Sequence, residues 1–261
     1  MTLFSDWETI YSSIAGELSL DRNKDEYATE LMENLMGKRK NTDLNELARR
    51  FSYRHALVFG AGPSLRHDAE SFSTLRTIDR GKFTVVAADG ATECLMSFGE
   101  RPELIITDLD GNIGYMMEAS REGSILVIHA HGDNVPLLSR YVEMFEGGVI
   151  ATTQVKERKH VHNFGGFTDG DRAAVISATF GASSITLAGM DFGNYVGRYS
   201  KPYLAEEVIA DKRKAIKLKW GKKILEMLAE RSRIRYFNAT GNGEELKGYK
   251  RIKFEQLGEL L

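Results

Sequence analysis

Two short apolar runs, Phe83 to Ala88 and Leu104 to Thr107, pass directly into acid and glycine: Asp89-Gly90-Ala91 after the first, Asp108-Leu109-Asp110-Gly111 after the second. Runs of that length, bounded by turn residues and separated by a helix-sized segment, are the pattern of parallel strands buried on both faces. They predict an α/β fold: a mostly parallel sheet with flanking helices, a Rossmann-like three-layer core. Ligands of such open sheets bind just beyond the carboxyl ends of the strands. Asp89, Asp108 and Asp110 are therefore expected in one crevice, where unpaired carboxylates repel one another unless a cation sits between them. A hard divalent ion, Mg²⁺ in the usual case, is the simplest resolution. Any one of these acids would serve as well as the N-cap of the next helix; the cluster is what points to a metal-phosphate site.

With 261 residues, 42% of them hydrophobic and 28% charged, the chain can bury a full core. A formal net charge of -2 gives no global electrostatic case for nucleic acid or membrane as partner, so any anion binding must be local. The single cysteine, Cys94, excludes an internal disulfide and fits a reducing cytoplasm; within Thr92 to Phe98 it reads as helix packing. The stretch Met1 to Asp6 lacks a basic region and a long apolar run, so neither a signal peptide nor a membrane span is expected. Oligomeric state is not legible, and a homodimer is among the options.

The region 1–50 reads as helical. Ser5-Asp6-Trp7-Glu8 has capping-box spacing before Trp7, Ile10, Tyr11 and Ile14, and a second helix is expected from Asp21 to Met36 with Gly37 as its stop. The basic run Lys38-Arg39-Lys40 then reads as a solvated helix end. This N-terminal appendage carries no motif, and the α/β domain is expected over 51–261. It opens with a strand at Ala56 to Phe59, followed by Gly60-Ala61-Gly62-Pro63-Ser64-Leu65 and a helix. Free amides of Gly62, Ser64 and Leu65 could face a phosphate there, although a plain tight turn explains the same residues. A further strand, Ser124 to Ile128, runs into His129-Ala130-His131-Gly132-Asp133-Asn134, either metal-capable groups or a polar turn. The segment Thr152 to Gly170 holds Lys156, Arg158, Lys159, His160 and His162 and is glycine-bearing; it reads as a basic loop able to cover nucleotide phosphates, or as a solvated excursion. Asp169 or Asp171 would cap a helix from Ala173 to Phe180, and Ser184 to Gly189 is another strand with an acid, Asp191, after it. A long helix is expected from Ala205 to Arg231, rich in lysine at Lys212, Lys214, Lys217, Lys219, Lys222 and Lys223; most of these read as a solvated face, and one or two near its start could reach a triphosphate.

Ala88 to Ala91, Pro102 to Asp110 and Gly60 to Leu65, extended by His129 to Asn134 and Gly189 to Gly193, together resemble the archaeal 6-hydroxymethyl-7,8-dihydropterin diphosphokinase family over roughly Phe51 to the C-terminus. The first two motifs are also similar to thiamine diphosphokinase, and a related domain occurs in glycan-modifying proteins of bacterial motility. The resemblance implies Mg²⁺-dependent transfer of a diphosphate from ATP to a reduced pterin, with AMP released, in folate or methanopterin biosynthesis. It places metal on Asp89, Asp108, Asp110 and Asp133 and makes Asp108 or Asp110 the acceptor of the alcohol proton. Nucleotide contacts fall to Gly60, Gly62, Ser64, Leu65, Asp89, Gly90, Arg158 and Lys159. A rival reading is a binuclear metal hydrolase, because His129-x-His131-x-Asp133 opens a zinc motif to which His160 and His162 could add.

Overall fold

The computed structural model describes residues 3–39, 42–76 and 78–260; Met1 and Thr2 of the N-terminal stretch and Lys40 of the basic run lie outside them. Each buried apolar run forms a strand. The order is α1 (Trp7–Leu18), α2 (Arg22–Gly37), α3 (Leu44–Phe51), β1 (His55–Phe59), α4 (Leu65–Thr74), β2 (Phe83–Ala88), α5 (Ala91–Ser97), β3 (Leu104–Thr107) and α6 (Ile113–Arg121). Then follow β4 (Ile125–Ala130), α7 (Val135–Tyr141), β5 (Val149–Thr153), β6 (Val161–His162), α8 (Asp169–Thr179), β7 (Ser184–Ala188), β8 (Tyr195–Val196), β9 (Val208–Ile209), α9 (Lys212–Arg231), β10 (Arg235–Asn238) and β11 (Lys250–Arg251).

Among the described residues nine strands make one parallel sheet in the order β11-β10-β7-β1-β2-β3-β4-β5-β6. β8 and β9 form a separate antiparallel hairpin. Successive strands step outward from β1 through β2 to β6, and the chain then returns to the other side of β1 as β7. The connections therefore diverge between β1 and β7, the place where such sheets open a crevice. Alternate residues bury on opposite faces: Ala56 and Val58 of β1 join one core, Leu57 and Phe59 the other. This is the three-layer arrangement expected.

The N-terminal helices are packed into these layers. Phe4, Trp7, Tyr11 and Ile14 share a core with Val86, Ile106 and Val127, while Ala28, Met32 and Met36 of α2 join Ile105, Leu126 and Ile128 on the opposite face. The Trp7 indole N–H donates to the Gln154 carbonyl at 2.9 Å. Arg39 is not solvated: its guanidinium donates to the carbonyls of Val142, Phe145 and Gly147.

Four boundaries differ from the sequence reading, each for a local reason. β4 continues to Ala130 because it stays in register with β5, pairing His129 with Thr152, so His129 is a buried strand residue. The segment expected as one loop from Thr152 contains β6, paired to β5 through Ala151 and Val161. α8 starts at Asp169, because Thr168 and Asp171 form a capping box ahead of Ala173. α9 starts only at Lys212, where the extended Asp211 accepts the Lys214 amide at 2.7 Å; the β8–β9 hairpin precedes it.

Trp7→Ala is expected to cost about 3–5 kcal/mol, the usual range for a buried aromatic, and to lower the midpoint of a single unfolding transition. A separate early transition of the N-terminal helices, with the rest of the protein unmoved, would contradict the shared core.

Candidate active site

A cavity of about 460 Å³ opens at the carboxyl ends of β1, β2, β3, β4 and β7. Its floor is acidic. Carboxylate oxygens of Asp89, Asp108 and Asp169 all lie within 4.8 Å of one another, Asp89 directly after β2, Asp108 directly after β3 and Asp169 at the start of α8. The turns that present these groups are strained: Asp89 has φ +46° and Leu109 φ +70°, left-handed values that side-chain-bearing residues rarely adopt and that cluster at functional sites. Asp89 is held by the Thr107 hydroxyl, which donates at 2.6 Å, and by close packing against Gly111, where a Cβ would stand 2.6 Å from the carboxylate.

Asp108 accepts from His131 Nε2 at 3.2 Å, and the Asp133 amide donates to His131 Nδ1 at 3.2 Å. Nδ1 is thus the acceptor nitrogen and Nε2 carries the proton given to Asp108. The Asn134 amide nitrogen bonds the carbonyls of Asp108 and His129, at 2.8 and 2.7 Å, tying the ends of β3 and β4 together.

Asp169 is freed for the cavity because Asp171 does the capping, accepting the amides of Phe167 and Thr168 at 2.6 and 2.8 Å. The buried Arg172 donates to Asp169 at 3.1 Å and to the carbonyls of Gly166 and Phe167.

The electrostatics follow from burial and crowding. Burial first, and the charge of Asp108 second, push Asp89 up to about 6. The same two causes raise Asp169 well above the usual carboxylate range, against the pull of Arg172. Burial alone would raise Asp108 as well, but the His131 hydrogen bond and the charges of Lys201 and Lys217 hold it below its ordinary value. Lys201, Lys214 and Lys217 line the same cavity. Lys201 is ion-paired to Asp110, and Lys214 donates to Ser200 at 3.1 Å with its own pKa lowered by burial and by the two neighbouring lysines.

The trio fits a hard divalent cation: all donors are carboxylate oxygens, and burial together with mutual repulsion raises the pKa of two of the three, an effect a cation among them would offset. Of the expected ligands, Asp89 and Asp108 are in the trio. Asp110 borders it, paired with Lys201. Asp133 stands outside it at the rim, 71% exposed and 3.9 Å from Arg213. His160 and His162 do not line the cavity, and the metal-capable group found among the described residues contains no histidine.

The expected phosphate contacts at Gly60 to Leu65 are mostly occupied from within. The Gly62 amide donates to the Gly189 carbonyl at 2.8 Å, the Ser64 amide to Asp191 at 3.1 Å and the Leu65 amide to the Gly62 carbonyl at 3.1 Å. Gly60 and Gly62 line the cavity, but their missing side chains serve close packing: a Cβ on Gly62 would stand 2.1 Å from Asp191, and one on Gly60 2.6 Å from Met190. Gly90 is required for a similar reason, a Cβ there falling 1.7 Å from the Tyr199 carbonyl oxygen. Arg158 and Lys159 face α2 instead of the cavity, Arg158 pairing with Glu30 and Glu33 and the Lys159 amide donating to Glu33. The acids of α2 draw this basic segment outward. Three contributions escaped the sequence reading, the first being Lys201, which lies in the segment between β8 and β9 without any motif. Asp169 was hidden because either acid of Thr168-Asp169-Gly170-Asp171 could cap the helix, although the Thr-x-x-Asp spacing singles out Asp171. The α1–α2 junction, including Lys24 and Asp25, lines the cavity without carrying any motif.

The chain is similar to known proteins over most of its length. The family model described as "6-hydroxymethylpterin diphosphokinase MptE-like" matches residues 29–197. A 6-hydroxymethyl-7,8-dihydropterin pyrophosphokinase of Methanothermobacter thermautotrophicus is 39% identical over 233 residues, covering 88% of this chain and 96% of that protein. Proteins of the same name from Pyrococcus furiosus and Methanocaldococcus jannaschii are 38% and 33% identical over 230 and 237 residues, each covering 88% of this chain and 96% and 98% of their own.

Because Asp89 titrates at about 6 in the fold against 3.8 for a free aspartate, the folded state favours its protonated form, and the metal-free protein should lose stability as pH rises through about 6. Asp89→Asn cannot ionise. It is expected to stabilise the metal-free protein by on the order of 1–3 kcal/mol near pH 8 and to change little near pH 4, measured by denaturant unfolding in chelator. A variant less stable than wild type near pH 8 would contradict the crowding.

Proposed function

Since the chain belongs to the MptE-like family of 6-hydroxymethylpterin diphosphokinases, we propose that this cavity transfers a diphosphate from ATP to the hydroxymethyl group of 6-hydroxymethyl-7,8-dihydropterin and releases AMP. The observation that carries the reading is the meeting of Asp89, Asp108 and Asp169 with Lys201, Lys214 and Lys217 in the lining of one cavity. A polyphosphate needs both kinds of group: cations for its oxygens, and carboxylates to hold the divalent ion that accompanies it.

The alcohol oxygen attacks the β-phosphorus, the bond from that phosphorus to the α–β bridging oxygen breaks, and the alcohol proton is lost. A primary alcohol attacking through a loose transition state needs alignment and charge cancellation more than a strong base. Asp89, Asp108 and Asp169 would hold Mg²⁺, which when bound would neutralise charge on the phosphate oxygens. Lys214 and Lys217, on one face of α9, hold the triphosphate from the other side. Lys201 exchanges Asp110 for phosphate, which leaves the Asp110 carboxylate to accept the alcohol proton. His131 keeps Asp108 ionised and oriented.

The test is ATP labelled at the β-phosphorus, incubated with Mg²⁺ and the reduced pterin. The label should appear in the pterin product with AMP as co-product; accumulation of ADP would overturn the proposed transfer. Thiamine in place of the pterin should give no product. Asp108→Asn and Asp169→Asn should each lower kcat by at least about 100-fold with the fold retained, and Lys214→Met should raise KM for ATP by about tenfold, the loss of one charge-assisted contact. Full activity in both Asn variants would remove the metal assignment.

A further inference from the structure

Asp25 lies in the first turn of α2, before the stretch matched by the family model, and is 5% exposed. Its carboxylate is fully engaged. One oxygen accepts the Gly132 amide at 2.7 Å; the other accepts the Tyr11 hydroxyl at 2.5 Å and the Gln154 amide nitrogen at 2.7 Å. A buried carboxylate with three donors is an anchor, and the element anchored is the turn from His131 to Asn134. Packing at that turn is close: a Cβ on Gly132 would stand 2.5 Å from the Lys24 Cβ. Gly132 sits between the two residues that orient the Asp108 carboxylate, namely His131, bonded to it through Nε2, and Asp133, whose amide fixes the His131 proton on that nitrogen.

We infer that Asp25 is a positioning residue for the metal-binding carboxylates, acting through the Gly132 amide and the His131 imidazole on Asp108. The inference rests on the metal reading of Asp89, Asp108 and Asp169 given above. It makes the N-terminal helix pair a working wall of the active site: α2 sets the β4–α7 turn, while Arg213, beside the lysines of α9, donates to the Leu18 carbonyl at the end of α1 at 3.0 Å. Outer hydrogen bonds of this kind orient metal ligands, and their loss weakens metal affinity by about 10–100-fold.

The test is the dissociation constant of Mn²⁺, followed by electron paramagnetic resonance on the full chain without nucleotide or pterin. Asp25→Ala should weaken Mn²⁺ binding about tenfold. Asp25→Asn, which keeps a carbonyl for the Gly132 amide, should restore most of the affinity. Tyr11→Phe and Gln154→Ala remove the other partners of the same carboxylate, and they should leave Mn²⁺ affinity within about twofold of wild type whatever they do to thermal stability. Gly132→Ala displaces the turn with Asp25 intact and should reproduce the Asp25→Ala loss; it keeps the test decisive if Asp25→Ala does not fold. Asp108→Asn is the control for the metal reading. If it abolishes Mn²⁺ binding while Asp25→Ala and Gly132→Ala do not weaken it, the positioning role is overturned alone. Binding indifferent to Asp108→Asn would overturn both. Affinity loss that follows stability across all the variants, Tyr11→Phe included, would reduce Asp25 to a structural anchor.

Discussion

The site depends on the repulsion among three carboxylates held with their oxygens within 4.8 Å of one another at the floor of a crevice. Left alone such a group would spread apart or protonate, and here the fold prevents the first and only partly permits the second. Asp89 cannot withdraw, because its left-handed turn, the Thr107 hydroxyl and the close approach of Gly111 all hold it. Asp108 is held by His131, and Asp169 by Arg172 and by the helix start that Asp171 caps. The strain is stored by well-packed surroundings, and a divalent ion would relieve it.

The rest of the architecture can be understood as support for that arrangement. Parallel strands deliver acids to one edge of the sheet because their carboxyl ends all point the same way, and the divergence of connections at β1 and β7 opens the space beside them. Cations come from elsewhere in the chain: Lys201 from the segment between β8 and β9, Lys214 and Lys217 from α9. Acids and lysines are thus fixed to separate elements, and among these described residues Lys201 pairs directly with Asp110. The Gly60 to Leu65 turn contributes shape. Its amides are consumed by Gly189, Asp191 and Gly62, so it closes β1 onto β7 more than it offers donors to a ligand.

Much of this was legible in the sequence, because buried parallel strands are short continuous apolar runs and the acids stand immediately after them. Asp89 and Asp108 were found that way. Asp133 follows β4 only after His131 and Gly132, and it turns to solvent while its amide serves the site through His131. Asp169 was hidden behind a capping role that Asp171 performs. Arg158 and Lys159 looked like phosphate ligands because nothing local shows that Glu30 and Glu33, more than a hundred positions earlier, would claim them. The N-terminal helices showed their amphipathic faces, but which core those faces fill, and that Asp25 reaches the β4–α7 turn, are long-range facts without a sequence signature.

The central claim is that Asp89, Asp108 and Asp169 together hold a divalent cation. Anomalous X-ray scattering from crystals grown with Mn²⁺ tests it most directly. The account requires one strong peak about 2.1 Å from a carboxylate oxygen of each of the three. A peak bonded instead to His129, His131 or Asp133, or no peak near the trio at saturating Mn²⁺, would contradict it.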